Sequence, residues 1–205
     1  MQGYILNINR VRDEDLIVSI LTQNRLKTLY RFYGARHSNI NIGYKIDFEA
    51  ITSLKSNIAM LRDVHHLGFR WLSIREKAFI WQQFCNLLFA HLRDIEILDE
   101  FYFNLLDNIT LKLDKQNAIR IAVDSYIKLL LHEGRLQEKF ECFLCDGILK
   151  NEVVVARALH FACKTCIPSK TIDKNKLETL ICEKSTIYLN DDEVEYLWKI
   201  MLEGF

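Results

Sequence analysis

With a single proline in 205 residues, the chain cannot hold a proline-rich linker. Half of its residues are hydrophobic, enough to build a real core rather than a long disordered segment. No uninterrupted apolar run approaches the length of about eighteen residues that spans a bilayer. The start, Met1-Gln2-Gly3-Tyr4-Ile5, lacks the basic residues and apolar stretch of a secretory signal. A soluble, cytoplasmic protein that does not engage a membrane is expected. Enzyme signatures are missing as well: there is no Gly-x-x-x-x-Gly-Lys loop, no His-Glu-x-x-His and no Gly-x-Ser-x-Gly. His132-Glu133 has the wrong spacing for a zinc deaminase, and neither CxxC follows a proline as that chemistry requires. Asp99 and Glu100 are adjacent on a helical surface and show no shared pocket. Neither a catalytic residue nor a small-molecule substrate is expected.

Net charge is also absent, at zero, but its distribution is uneven. Residues 1–45 hold seven Lys or Arg against three acids, whereas residues 170–205 hold five against eight. From Arg25 to Ile46 the cations Arg25, Lys27, Arg31, Arg36 and Lys45 occur with no Asp or Glu among them. A strand from Arg25 to Tyr33 alternates Lys27, Leu29, Arg31 and Tyr33 on one face with Leu26, Thr28, Tyr30 and Phe32 on the other. The first set reads as a basic face with an aromatic, the second as a core. A solvated strand face is the simpler account of such a charge run.

Four further segments favour a functional account. Gly3 to Asn9 alternates with Tyr4, Leu6 and Ile8 inward. Leu16 to Thr22 is a short apolar strand after the acidic turn Asp13-Glu14-Asp15. Tyr44, Ile46, Phe48 and Ala50 alternate again, and a last strand covers Ile58 to Val64. Five short strands in about seventy residues are what a small closed barrel such as the OB-fold needs. Such barrels track phosphates with Lys and Arg while aromatic rings stack on bases.

After Gly68 the period changes to that of a helix. Trp81, Phe84, Leu88 and Leu92 form one stripe, and Ile119, Ala122, Val123, Tyr126, Ile127 and Leu130 form another that ends at Gly134. Asn190 is an N-cap with Glu193 three positions on, followed by Val194, Leu197, Trp198 and Met201 on one face. That last helix is expected to pack back on the bundle. The acids at its start, Asp191-Asp192-Glu193, repel phosphate.

Six cysteines are present. Cys142-Phe143-Leu144-Cys145 and Cys163-Lys164-Thr165-Cys166 are separated by seventeen residues, a spacing that lets two short loops offer four thiolates to one tetrahedral zinc ion. Four thiolates leave no open coordination position, so the zinc is structural rather than catalytic. Disulfides, a redox pair or an empty site are the alternatives, and a reducing cytosol favours metal. His160 is the one plausible substitute ligand. Cys85 and Cys182 lie among apolar helical residues and read as buried free thiols.

The expected architecture is α+β: an OB-fold domain over 1–69, a helical bundle over 70–141, a zinc-ribbon element over 142–168 and C-terminal helices over 169–205. In this order the chain resembles the bacterial recombination mediator family RecO. The likeness lies in Asp13-Glu14-Asp15-Leu16-Ile17-Val18-Ser19-Ile20-Leu21-Thr22, in Gly34-Ala35-Arg36, and in Gly134 followed by Cys142-Phe143-Leu144-Cys145-Asp146-Gly147 and then Cys163 and Cys166. It extends over nearly the whole chain. It implies a non-catalytic DNA-repair protein of the bacterial cytoplasm and nucleoid that binds single- and double-stranded DNA and anneals complementary strands. It also implies partnership with RecR and with the tail of the single-strand-binding protein SSB, so that RecA is loaded on coated DNA. By position it makes Lys27, Arg31 and Arg36 DNA contacts and the four cysteines a zinc ribbon; Arg25, Tyr33 and Lys45 join them from the face pattern. The sequence departs from the family at Ser38-Asn39-Ile40-Asn41, where Lys and Arg are usual, and at Leu26, where glycine is common.

An acidic tail with an apolar end calls for a cation beside a hydrophobic groove. Arg120, Lys128 and Arg135, on or just after the Ile119 helix, have that chemistry, although cations on a bundle surface commonly do nothing specific. The competing function is a zinc-stapled interaction scaffold without strong DNA binding of its own. Indifference to the loss of Lys27 and Arg31 would mark such a scaffold.

Overall fold

The computed structural model describes residues 1–12, 14–36, 39–53 and 56–204; Asp13 of the acidic turn and Ser38 lie outside them. The chain divides into two compact units, Met1–Lys115 and Gln116–Phe205.

In the first unit, the alternating segments form β1 (Gln2–Arg12), β2 (Asp15–Leu21), β3 (Leu26–Arg31), β4 (Lys45–Ser53) and β5 (Ser56–His66). They close into a barrel in the order β1-β2-β3-β5-β4, with β4 returning to β1 through Gly3↔Ile46 and its neighbours. Among the described residues only β3 and β5 pair in parallel, through Tyr30↔Met60. This is an OB-fold. Period-two alternation delivers Leu16, Val18 and Ile20 from β2 and Ile46 and Phe48 from β4 to one core; Leu61 and Val64 of β5 join it across an irregularity at Asp63, φ +48°, and Ile5 and Leu29 complete it.

Two strands depart from their expected facing. In β1 the register shifts between Ile5 and Asn7, so Ile5 and Ile8 face the barrel core while Tyr4 does not. Tyr4 is fully buried on the opposite side, edge-on to Trp81 at 5.9 Å and tilted on Phe103 at 5.5 Å. In β3 the parity is the reverse of the expected one. Leu29 is the residue that enters the core, so Lys27 and Arg31 share the inner side of the strand. Thr28 and Phe32 are exposed and Tyr30 is half-buried. A single leucine outweighs its two charged neighbours because their long stems reach out at the two ends of the barrel while the middle stays apolar.

Helices α1 (Arg75–Leu92) and α2 (Phe101–Leu113) belong to the barrel's unit. Trp81, Phe84, Leu88 and Leu92 are all buried, as their spacing requires. Polar groups fasten these helices to β1 and β4. The Tyr4 hydroxyl donates to Asp107, and Lys45 Nζ lies 2.6 Å from the same carboxylate. Burial, and then the Asp107 hydrogen bond, push the Tyr4 phenol up, so it keeps its proton and its role as donor. Trp81 Nε1 donates to the Gly43 carbonyl at 2.8 Å and Trp71 Nε1 to the Thr110 carbonyl at 2.9 Å.

The second unit contains α3 (Ala118–His132), β6 (Glu152–Val155), β7 (Phe161–Ala162), β8 (Thr171–Asp173), α4 (Lys174–Glu183) and α5 (Asp191–Leu202). Asn117 caps α3 by accepting the Arg120 N–H, and Gly134 follows its end at φ +65°, where glycine is favoured. The strands form a small sheet in the order β7-β6-β8. Asn190 and Glu193 form a reciprocal capping box at the start of α5, and α5 packs on α3. The helical segment expected over 70–141 is thus shared: α1 and α2 go with the barrel, α3 with the cysteine-bearing unit. The aromatic outer face of β1 gives α1 and α2 their place, and periodicity within the helices does not reveal such a surface. Cys85 is buried as expected, whereas Cys182 is exposed on the outer side of α4.

Gly43 is the tightest point of the first unit. Its φ is +84° and a Cβ there would lie 2.3 Å from Trp81 Nε1. Gly43→Ala should therefore lower stability by at least about 2 kcal/mol, from the left-handed backbone and the displaced indole together. Urea unfolding measures it; an unchanged midpoint would contradict this packing.

Candidate metal centre and nucleic-acid interface

The two CxxC pairs meet in the second unit. Cys142, Cys145, Cys163 and Cys166 place their Sγ atoms all within 4.8 Å of one another, with Cys145 and Cys163 3.9 Å apart. Tetrahedral coordination with Zn–S bonds of 2.3 Å separates sulfurs by about 3.8 Å, so the donors present fit such an ion once the wider pairs close by up to about 1 Å. Each pair sits in a tight turn. The Asp146 N–H donates to the Cys142 carbonyl at 2.8 Å and the Cys166 N–H to the Cys163 carbonyl at 3.1 Å. A Cβ at Gly147 would lie 3.3 Å from Cys145 Sγ, closer than ordinary contact. Burial pushes the Cys142 thiol up, but backbone N–H groups of Cys163, Leu144 and Cys145 more than offset it and bring it to about 6. Backbone N–H groups of the turns thus favour the ionised, metal-binding form of Cys142 and Cys163, while hydrogen bonds from the neighbouring sulfurs hold the Cys145 and Cys166 thiols up. His160 is exposed, and its ring stands beside Phe143 at 5.5 Å with Nδ1 3.4 Å from Gln137 Oε1; the four-sulfur cluster does not include it.

In the barrel, the end of β3 and the facing part of β5 diverge after their one pairing and leave a cleft of about 340 Å³. Tyr30, Arg31, Phe32, Tyr33, Leu61 and Arg62 line it together with Met60. Phe32 and Tyr33 are 51% and 59% exposed, unusual for aromatic side chains that have a core available beside them. The Tyr30 ring meets Phe32 edge-on at 4.9 Å, and its hydroxyl donates to Asp15 Oδ2 at 2.5 Å. Asp15 also accepts the Tyr33 N–H at 2.8 Å. The Tyr30 hydroxyl and that N–H hold the Asp15 carboxyl below the usual carboxylate range. Tyr33 is in the left-handed region at φ +50°, so the strand alternation stops at Phe32. Arg36 packs its guanidinium over the Tyr33 ring at 5.2 Å and pairs with Glu14.

Arg31 donates Nη1 to the Leu61 carbonyl at 2.9 Å. Its Nε is buried and finds no partner among the described residues. Burial, then the neighbouring Arg62 charge, lower its pKa, opposed by Asp63. Two guanidiniums are thus held side by side without a direct ion pair to either among the described residues.

The remaining expected contacts fall elsewhere. Lys27 precedes Arg31 by four positions, about 13 Å along a strand, and lines a different cleft with Gln2, Asn24, Lys45 and Asp107. Arg25 is exposed just before β3, in an isolated bridge with Ile97. Lys45 is tied up by the Asp107 carboxylate and lies over the Tyr4 and Phe103 rings at 5.4 and 5.2 Å, which makes it a fastener between β4 and α2. In the second unit, Arg120 donates to the Thr186 and Leu189 carbonyls at 2.6 and 3.0 Å and to Asp191 at 2.7 Å. That fork clamps the chain leading into α5 rather than facing a groove. Arg135 is exposed and pairs with Glu133 at 3.4 Å; Lys128 is half-buried on α3. Arg62, Tyr30 and Phe32 were not among the expected site residues. Placing Leu29 as the core residue of β3 would have turned the two aromatics outward from sequence alone; Arg62 depends on the β3–β5 closure, which no local pattern encodes.

An OB-fold barrel with a basic and aromatic cleft is carried in one chain with a helical unit that holds a Cys₄ cluster. Residues 1–72 match the family described as RecO N terminal. The likeness to that family is therefore one of its N-terminal domain. It spans the whole barrel and does not reach the second unit. No curated protein matches the chain. Among the described residues, no helix is long and apolar enough to cross a membrane.

Two outcomes test this geometry. Metal analysis of the purified protein should find about one ion per chain. Cys142→Ser with Cys163→Ser should lose it and lower the melting temperature, since the binding energy of such a site is folding energy; a metal-free wild type would refute the centre. Arg120→Ala should cost roughly 1–3 kcal/mol of stability through its lost charged hydrogen bonds. If thermal unfolding is unmoved, the clamp assigned to Arg120 is wrong.

Proposed function

We propose that this protein is a non-catalytic recombination mediator that binds single- and double-stranded DNA through its barrel and anneals complementary strands. The observation that carries the reading is the coincidence of the RecO N-terminal match with a β3–β5 cleft that sets Arg31 and Arg62 beside exposed aromatic rings. Annealing asks only that two polyanions be brought together while their bases stay free to pair. A basic surface does this by neutralising phosphate and releasing counterions, and no bond is made or broken by the protein.

Arg31, Tyr33, Arg36 and Arg62 form the principal contact in this reading, with Arg25 and Lys27 extending it toward the start of β3. Partner proteins follow from the resemblance to RecO: RecR joins the complex, the acidic tail of SSB docks, and RecA is loaded as a consequence. The metal is zinc, which four thiolates select by softness and tetrahedral geometry, and its role is structural. The protein works in the bacterial cytoplasm on nucleoid DNA.

A fluorescent single-stranded oligonucleotide titrated across a salt series tests the reading. Three to five phosphate contacts at roughly −0.7 each give a log–log slope of about −2 to −4. Arg31→Gln with Arg62→Gln should reduce the slope by about 1.4 and weaken binding. No binding at low salt would leave the interaction scaffold as the function.

A further inference from the structure

We propose that the exposed turn Ile187-Tyr188, between α4 and α5, docks in the β3–β5 cleft of a second copy of this chain and so joins copies head to tail.

The turn is built to present its two apolar side chains. Ile187 and Tyr188 are 71% and 63% exposed, while Thr186 and Leu189 on either side of them are buried. Polar groups of α3 hold both ends. Asp124 accepts the Thr186 N–H at 2.8 Å, and Arg120 donates to the Thr186 and Leu189 carbonyls. The Leu189 N–H closes the turn on the Thr186 carbonyl at 3.0 Å. A backbone anchored on both sides of its exposed pair has little freedom left to lose on binding. A rigidly presented tyrosine is the kind of anchor that dominates a protein interface.

Charge selects the partner. Asp191, whose side chain is 89% exposed, and exposed Asp192 follow the turn, in a stretch, residues 170–205, that carries five Lys or Arg against eight acids. An apolar knob with acids beside it is matched by an apolar pocket with cations at its rim. The first unit of this chain offers one. Phe32, Tyr33 and Met60 stand in the walls of the β3–β5 cleft, Arg62 is exposed at its edge, and the Arg31 Nε is buried without a partner among the described residues. Leaving that donor unsatisfied is costly. In the docked state the Tyr188 ring enters the cleft, its hydroxyl oxygen accepts from the Arg31 Nε, and Asp192 pairs with Arg62.

The two patches differ, so the contact is heterologous: each copy gives a turn and receives one, and copies add in series rather than stopping at a symmetric pair. Resting on the DNA-binding reading above, a strand and a docked turn then compete for the same guanidiniums. Free protein keeps its clefts covered, and DNA disperses the assembly.

Sedimentation velocity of the full chain at low salt, over a range of loading concentrations, tests the docking. Wild type should grow in mass with concentration and return toward the monomer as salt is raised. Ile187→Ser with Tyr188→Ser, which leaves Thr186, Leu189 and Arg120 in place, should weaken association at least about tenfold. Phe32→Asp, which sets an acid in the receiving cleft, should do the same. Mixed together, the two variants should form one-to-one pairs, because the first keeps its cleft and the second its turn; circular dichroism matching wild type accompanies both. A wild type that stays monomeric at every concentration overturns the proposal, and so does a turn variant that associates like wild type or a mixture that stays monomeric. Saturating oligothymidylate should disperse the wild-type assembly. An oligonucleotide that binds without dispersing it overturns the competition. A chain that binds no oligonucleotide yet pairs in the mixture sinks the DNA reading and leaves the docking standing.

Discussion

β1 must be covered on both sides, and most of the first unit follows from that constraint. Ile5 belongs to the barrel core, while Tyr4, equally buried, belongs to a second apolar surface shared with Trp81 and Phe103. Exposing a ring of that size would forfeit several kcal/mol of burial, about 25 cal/mol per Å² of apolar area. The barrel is therefore a complete unit only with α1 and α2 laid against it. Their position then fixes what remains open. The β1–β4 side is occupied by helices, Lys45 is drawn into the joint by Asp107, and the β3–β5 side keeps its cleft and its exposed rings. Separating structural from available cations thus begins with one tyrosine whose neighbour, Ile5, points the other way.

The same division of labour runs through the second unit. Arg120 is one of the most hydrogen-bonded side chains in it, with all three of its contacts used to hold the segment before α5. A cation on an amphipathic helix looks like a docking residue in sequence, and in the folded chain it closes a turn. The cysteine turns follow a related logic, since backbone N–H groups both shape the loops and polarise the Cys142 sulfur. The two functional elements therefore rest on rigid local backbone rather than on long loops.

Period, spacing and capping made much of this legible in the sequence. Five alternating segments gave the barrel, Trp81 to Leu92 gave a buried helical stripe, Asn190 and Glu193 gave the last cap, and four cysteines gave a cluster whose sulfurs do converge. Parity was the weak point. In β3 a single apolar residue, Leu29, decides which face is inward, and Lys27 and Arg31 flank it on that same face, so charge count and core membership gave opposite answers. A bulge in β1 had the same effect on Tyr4. Arg62 reaches the cleft through a parallel pairing between β3 and β5 that follows from barrel closure and leaves no local trace. Exposed Cys182 shows the limit of periodicity in α4, a short helix with only Leu177 and Leu180 buried.

The four sulfurs carry one more implication. An ion bound there stabilises the folded second unit by mass action, as RT ln(1 + [L]/Kd), and the four sulfurs lend no such term to the barrel. The two halves of the chain thus answer to different variables, and of the two it is the second that answers to the free metal concentration of its surroundings. Under metal starvation the ribbon would loosen while the barrel stayed folded, and whatever the second unit contributes would be withdrawn first.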